Sequence, residues 1–377
     1  MSVYLDNAAT TPLDVRVFEA MKPYLLDSFG NPSSIHQYGR EVRSAVEKSR
    51  KIVADILNVA PSEIFFTSGG TEADNTVINN TISSKGIKHA ITSRIEHHAV
   101  LHTLQHLEND GKISLHFVKL DEQGQVDYDD LEDLLQAHEN AFVSLMHGNN
   151  EIGNLTDLKR VGSLCQQHKA FFHSDTVQTL GHIDIDLSNI NIQSIAGSAH
   201  KFHGPKGAGL MYINANNQIP PLLIGGGQER NMRGGTENVS GIIGLAKALE
   251  LSYSEKEESQ TKLLEFKKYT IDQLTSKFSN ISFNGLSADL DKSLHKVLSI
   301  GIPGIEDNDM LLFNLDINGI AVSGGSACAS GTSIGSHVLE ALNLDENLGT
   351  LRVSFSKFNT KEEIDYFIEK LVEALKP

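Results

Sequence analysis

Lys201 stands between two histidines in Ser198-Ala199-His200-Lys201-Phe202-His203, just beyond an apolar run that reads as a strand. A lysine amine becomes a Schiff-base nucleophile when burial and neighbouring positive charge keep part of it deprotonated; otherwise it is a solvated surface group, as most lysines are. A second candidate, Thr67-Ser68-Gly69-Gly70-Thr71-Glu72, also follows an apolar run. Its glycines let a backbone approach a ligand closely, and the helix start that follows presents free N–H groups to a phosphate. The same residues equally suit an ordinary strand-to-helix turn with Thr71 as cap. No lysine follows as a P-loop requires, and the glycine spacing is not that of a dinucleotide site. Asp175 follows Phe171-Phe172-His173-Ser174. Buried, it needs a cationic partner such as a protonated pyridine nitrogen; at a helix start it is simply a cap.

The two cysteines differ in setting. Cys165 lies in an amphipathic helical pattern and reads as a small core hydrophobe. Cys328 lies in Ser323-Gly324-Gly325-Ser326-Ala327-Cys328-Ala329-Ser330-Gly331, a run of small residues that suits an accessible nucleophilic thiol. Arg352 alternates with apolar residues in a strand-like stretch, where it serves either as a carboxylate clamp or in a structural ion pair. The pairs His97-His98 and His200 with His203 invite a zinc reading, but neither has the thiolate or carboxylate companions of a standard motif, and no metal is expected.

These residues need a scaffold that brings strand ends together. Seven short β-rich runs, at 64–68, 89–94, 115–119, 142–147, 170–174, 192–197 and 209–213, alternate with helical patterns. That alternation predicts an α/β fold with a mostly parallel seven-stranded sheet covered by helices on both faces. The apolar positions Val42, Ala45, Val46, Ser49, Val53 and Ile56 recur at helical spacing and predict an amphipathic helix against that sheet. A long helical stretch over residues 242–276 carries the charged run Glu255 to Glu258 in its middle. Beyond it, strands at 296–300 and 351–355 mixed with helices at 309–315 and 361–375 predict a smaller α+β domain. The expected division is a large domain over residues 15–255 and a small one built from 1–14 and 256–377.

The chain has 377 residues, 40% of them hydrophobic and 21% charged, which excludes disordered and multi-span membrane classes. Its net charge of −16 repels a phosphate backbone, so no direct nucleic-acid binding is expected. The first residues lack a basic start and an apolar core, and no stretch is long enough to cross a bilayer, so the expected location is cytoplasmic, without membrane association. Two cysteines are too few for a disulfide framework, which agrees with that compartment.

Taken in order, the motifs resemble those of the cysteine desulfurases, pyridoxal-phosphate enzymes of the class V aminotransferase group with the type I fold. They run from Leu5-Asp6-Asn7-Ala8-Ala9-Thr10-Thr11-Pro12 through Gly30-Asn31-Pro32-Ser33-Ser34, Thr67 to Glu72, Glu96-His97, and His147-Gly148-Asn149-Asn150-Glu151. Asp175 to Gln178, His200-Lys201, Arg233-Gly234-Gly235-Thr236 and Ser326-Ala327-Cys328 complete the series. The long small-residue run around Cys328 is similar to the nitrogenase-associated and housekeeping iron–sulfur members. Ala199 departs from the usual glycine, and His203 stands where some members have tyrosine.

The resemblance implies that Lys201 holds pyridoxal 5'-phosphate and that Asp175 partners its ring nitrogen. Gly70, Thr71, Ser198 and His200 would hold the phosphate, with Thr236 supplied by the second subunit of a homodimer. Asn150 and Gln178 would meet the ring substituents, His97 would stack on the ring and move protons, and Arg352 with Asn150 would bind the carboxylate of L-cysteine. Cys328 would accept the sulfur as a persulfide, with release of L-alanine, and pass it to an iron–sulfur scaffold or a tRNA-thiolation protein. The rivals are a selenocysteine lyase, an aminotransferase or a kynureninase-like lyase on the same fold, and a catalytically silent scaffold. Cys328 argues against a transaminase, and Lys201, Asp175 and His97 together argue against the scaffold.

Overall fold

The computed structural model describes residues 1–305, 307–324, 336–344 and 348–375. The chain opens with strand β1 (Val3–Tyr4), helix α1 (Val15–Leu26) and the long helix α2 (Gln37–Leu57). Next come β2 (Ile64–Thr67), α3 (Gly70–Lys85), β3 (His89–Thr92), α4 (His98–Asn109), β4 (Ser114–Phe117), α5 (Tyr128–Ala137), β5 (Phe142–Ser144) and α6 (Leu158–Gln167). The strands β6 (Phe171–Asp175), β7 (Ser194–Ser198) and β8 (Gly209–Ile213) complete a seven-stranded sheet of order β2-β8-β7-β6-β5-β3-β4. All seven expected strands are present, each within a few residues of its expected bounds.

Within that sheet β3, β4, β5, β6 and β7 run parallel, while β8 is antiparallel to both β7 and β2. Two reversals cancel, so β2 points the same way as β7. The carboxyl ends of β2, β3, β5, β6 and β7 therefore share one edge, where ligands of open α/β sheets bind. Both faces are covered. Phe66, Val143, Phe172 and Leu210 pack against α1, α2 and α7 (Val239–Ser254) on one side, and Phe65, Phe142, Phe171 and Met211 face α3 and α4 on the other. Burial on both faces explains why these strands read as continuous apolar runs and do not alternate.

The rest of the chain comprises α8 (Lys256–Lys277), β9 (Ser282–Phe283), β10 (Val297–Pro303), α9 (Asn308–Ile317), β11 (Ile320–Ala321), α10 (His337–Ala341), β12 (Leu348–Ser354) and α11 (Lys361–Ala374). β10 pairs antiparallel with β12 and β9, and β1 pairs in parallel with β11. A separate apolar cluster that includes Leu5, Phe266, Ile300, Val353 and Phe367 holds these elements together. The single long helix expected over residues 242–276 is two helices. At Glu255 the backbone leaves helical geometry (φ −104°, ψ 10°), and its carboxylate is held by Lys357 Nζ at 2.7 Å and by Arg16. The break is tertiary in origin: α7 packs with the sheet cluster and α8 with the second cluster, so the chain must turn between them.

Candidate active site

The carboxyl edge of the sheet opens into a cavity of about 370 Å³ lined by Gly70, Thr71, His97, Asn150, Asp175, Gln178, Ser198, His200, Lys201 and Arg352. Residues spread over more than 280 positions of sequence meet there because most of them end or follow β2, β3, β5, β6 or β7, whose carboxyl ends share one edge, while Arg352 comes from β12. Thr236 does not line this cavity; in this chain it is exposed, beside the groove formed by Gly235 and Glu237. Cys328 lies outside the described residues.

Lys201 Nζ donates to the main-chain oxygens of Ala8 at 2.6 Å and Ala9 at 2.9 Å. The N-terminal segment is thus a wall of the site. Thr11 pins it there: its N–H and its hydroxyl both donate to His200 O, and its Oγ1 accepts from His203 N. Gln178 Nε2 also donates to Ala8 O at 2.9 Å, which leaves its Oε1 buried with no partner among the described residues. Nothing in the local sequence around Lys201 announces Ala8 and Ala9; their place depends on β1 pairing with β11 and carrying the N-terminus across the sheet edge.

Asp175 is buried at the end of β6, with Val177 N–H donating to its Oδ1 at 2.8 Å. Burial raises its carboxyl to about 6, against the opposing pull of that N–H and of the Lys201 charge. A cation brought against it would restore its ionised form. His97 caps α4 by accepting Ala99 N–H at its Nδ1, and burial together with the charge of Lys201 lowers it to about 4. It is therefore a neutral imidazole at pH 7. His200, its Nδ1 3.1 Å from Thr10 Oγ1, is likewise held at about 4 by burial and Lys201.

The turn after β2 leaves the first turn of α3 without a side-chain cap, so its N–H groups face the cavity unclaimed by any cap. Glycine is required at position 70: a Cβ there would lie 2.6 Å from Val177 Cγ2. Gly70→Ala should weaken cofactor retention by on the order of tenfold, as read by equilibrium dialysis, and Gly70→Ala with Val177→Ala should recover most of it. Wild-type retention in the single variant would remove this turn from the phosphate site. Behind the turn Glu72 accepts Ser68 N–H and pairs with Arg233, which fastens the segment carrying Thr236.

Arg352, buried on β12, makes the structural ion pair that its sequence position allows. Its Nη2 pairs with Asp6 Oδ1 at 2.8 Å and its Nη1 donates to Asn150 O at 3.0 Å, while the side chain still lines the cavity. These bonds fix the orientation of the guanidinium at the cavity wall.

Two buried acids to which the sequence reading assigned no role stand at the cavity: Asp74 lines it and Glu96 precedes His97 in the chain. Asp74 is 3.1 Å from His173 Nε2, and Glu96 accepts Met146 N–H at 2.7 Å and Ser93 Oγ–H at 3.2 Å. Burial raises both acids, Glu96 to about 8. A carboxyl raised in the folded state binds its proton more tightly there than in the unfolded chain. Stability therefore falls as pH rises from the ordinary carboxylate range toward 8. Glu96→Gln keeps the shape and abolishes this slope, so at pH 8.5 it should be more stable than wild type by on the order of 4 kcal/mol, with a gain of about 1 kcal/mol or less at pH 5. Denaturant titrations at the two pH values check this, and an equal difference at both would disprove it.

With this geometry in view, comparison with known proteins is specific. The aminotransferase class-V model matches residues 3–367, and the chain belongs to that family. The cysteine desulfurase IscS of Dictyoglomus turgidum (strain DSM 6724 / Z-1310) is 41% identical over 382 residues, covering 99% of this chain and 95% of that protein. A solved NifS-like protein superimposes with a TM-score of 0.91 at 37% identity, covering 100% of this chain and 99% of its own. The structure of SspA in complex with cysteine does so with a TM-score of 0.81 at 31% identity, covering 95% and 100%. The family uses pyridoxal phosphate, and the cavity fits that group: a buried carboxylate for the ring nitrogen, a lysine amine, an uncapped helix start and an unmet polar atom on Gln178.

Proposed function

We propose that this chain is a pyridoxal-phosphate-dependent cysteine desulfurase that converts L-cysteine to L-alanine and leaves the sulfur as a persulfide on Cys328. The observation that carries the reading is the convergence of Lys201, Asp175, His97 and Arg352 on one cavity. Ser323 bridges Arg352 and Ser336 precedes His337, and both Arg352 and His337 line that cavity; Cys328 falls between Ser323 and Ser336 in the sequence.

Pyridoxal phosphate, when bound, would supply an aldehyde for the substrate amine and a protonated ring as a sink for electrons from the α-carbon. Asp175 would keep the proton on the ring nitrogen. Lys201 Nζ takes the α-proton, steered by the Ala8 and Ala9 oxygens. Neutral His97 would lie against the ring and help move protons. Arg352 and Asn150 hold the substrate carboxylate, and Gly70, Thr71, Ser198 and His200 hold the phosphate. Cys328, as thiolate, attacks the substrate sulfur: a sulfur–sulfur bond forms, the carbon–sulfur bond breaks with its electron pair left on the β-carbon, that carbon takes a proton, and Lys201 returns the proton to the α-carbon to give alanine.

The same reading takes the chain as a cytoplasmic homodimer in which Thr236 of one copy completes the phosphate site of the other; its exposure here supports that assignment. No helix of the described residues is long and apolar enough to cross a membrane. The division into residues 15–255 and 1–14 with 256–377 is supported by the separate sheet and C-terminal apolar clusters. An iron–sulfur scaffold protein is the proposed sulfur acceptor. The test is an absorbance spectrum of the purified protein before and after L-cysteine, with alanine and sulfide quantified in the same sample. A cofactor band that shifts, with alanine formed, supports the reading. A coloured protein yielding no alanine would reassign the substrate, and a colourless one that the cofactor cannot reconstitute would point to the silent scaffold.

A further inference from the structure

Three imidazoles meet at the far edge of the sheet, away from the catalytic cavity. His89 is the first residue of β3, whereas His97 follows the end of that strand, so the two lie at opposite ends. β4 is the edge strand, and its His116 stands opposite Ile91, two residues on from His89 and on the same face of the sheet. His138 is the C-terminal cap residue of α5, which brings its ring over both. The rings of His116 and His138 lie 3.9 Å apart and those of His89 and His138 4.5 Å apart. His89 Nδ1 and His116 Nε2 are separated by 3.2 Å, and one ligating nitrogen from each of the three residues lies within 4.8 Å of the others. Among the described residues this is the one such set.

We propose that His89, His116 and His138 form a binding site for a divalent transition-metal cation, Zn2+ in the first instance, with water in the fourth position. Nitrogens bound to one tetrahedral zinc at 2.0–2.1 Å stand about 3.3–3.4 Å apart, so one pair is already at that separation. The third nitrogen reaches it by side-chain rotation, which half-exposure leaves open to all three residues. A set of three imidazoles without a carboxylate ligand selects zinc, copper or nickel over magnesium or calcium. The Glu108 carboxylate acts on His116 and favours a cation there. The three ligands come from two strands and a helix, so bound zinc would tie α5 to the unpaired edge of the sheet.

The test is calorimetric titration of Zn2+ into the holoenzyme carrying Cys328→Ala, so that the thiol takes no metal. The expected result is a tight equivalent per chain that His138→Ala weakens by on the order of 100-fold or more. His89→Gln, which preserves size at the strand start, should do the same and guards against a folding defect in the first variant. With Cys328 in place, His138→Ala should leave cysteine turnover unchanged, and zinc should raise the thermal midpoint of the parent but not of the variant. Zinc uptake of the same stoichiometry and affinity in parent, His138→Ala and His89→Gln would overturn the proposal, as would a parent that takes up none.

Discussion

Lys201→Ala is expected to lower alanine formation from cysteine by at least about 10³-fold and to abolish covalent retention of the cofactor. Two functions end with one amine: attachment of pyridoxal phosphate and transfer of the α-proton. No neighbour replaces it. His97 and His200 are held neutral at pH 7, and Lys296, though buried nearby with its own charge disfavoured by burial, does not line the cavity. The substitution has a second consequence that a purely structural lysine would lack. Its charge is one of the causes that lower His97, so the His97 titration should move toward its ordinary value in the variant. Dialysis followed by an absorbance spectrum reads the first effect and NMR titration of the imidazole the second. Turnover within tenfold of wild type would remove Lys201 from the chemistry.

Cys328→Ala should retain the cofactor and still bind cysteine, yet lose sulfide release by on the order of 10³-fold, because no second thiol can take over. Cys165 is wholly buried in α6, and burial pushes its thiol far above the ordinary range, so it is neither exposed nor ionised. Cys165→Ala is the matched control: near-normal turnover with about 1 kcal/mol less stability from the small cavity left behind. Sulfide production by Cys328→Ala at the wild-type rate would show that the sulfur leaves without a protein acceptor. Activity lost in Cys165→Ala without loss of folding would show that its role is more than packing.

The sequence by itself showed which residues could carry chemistry and the succession of strands and helices along the chain. Lys201, Asp175, His97 and Gly70 each follow a short apolar run, and such runs report local burial, a property set within a few residues. That is why the seven strands were legible, and why the start of α3 after its glycine turn was legible too. Only the tertiary structure decided what depends on partners distant in the chain. It reverses β8 so that β2 and β7 point the same way, and it lays Ala8 and Ala9 under Lys201. It also commits Arg352 to Asp6, breaks the helix at Glu255 and gathers His89, His116 and His138 from separate elements. Periodicity carries the burial of a residue but not the identity of what it is buried against, because strand order and long-range pairing are settled by packing among elements rather than within them.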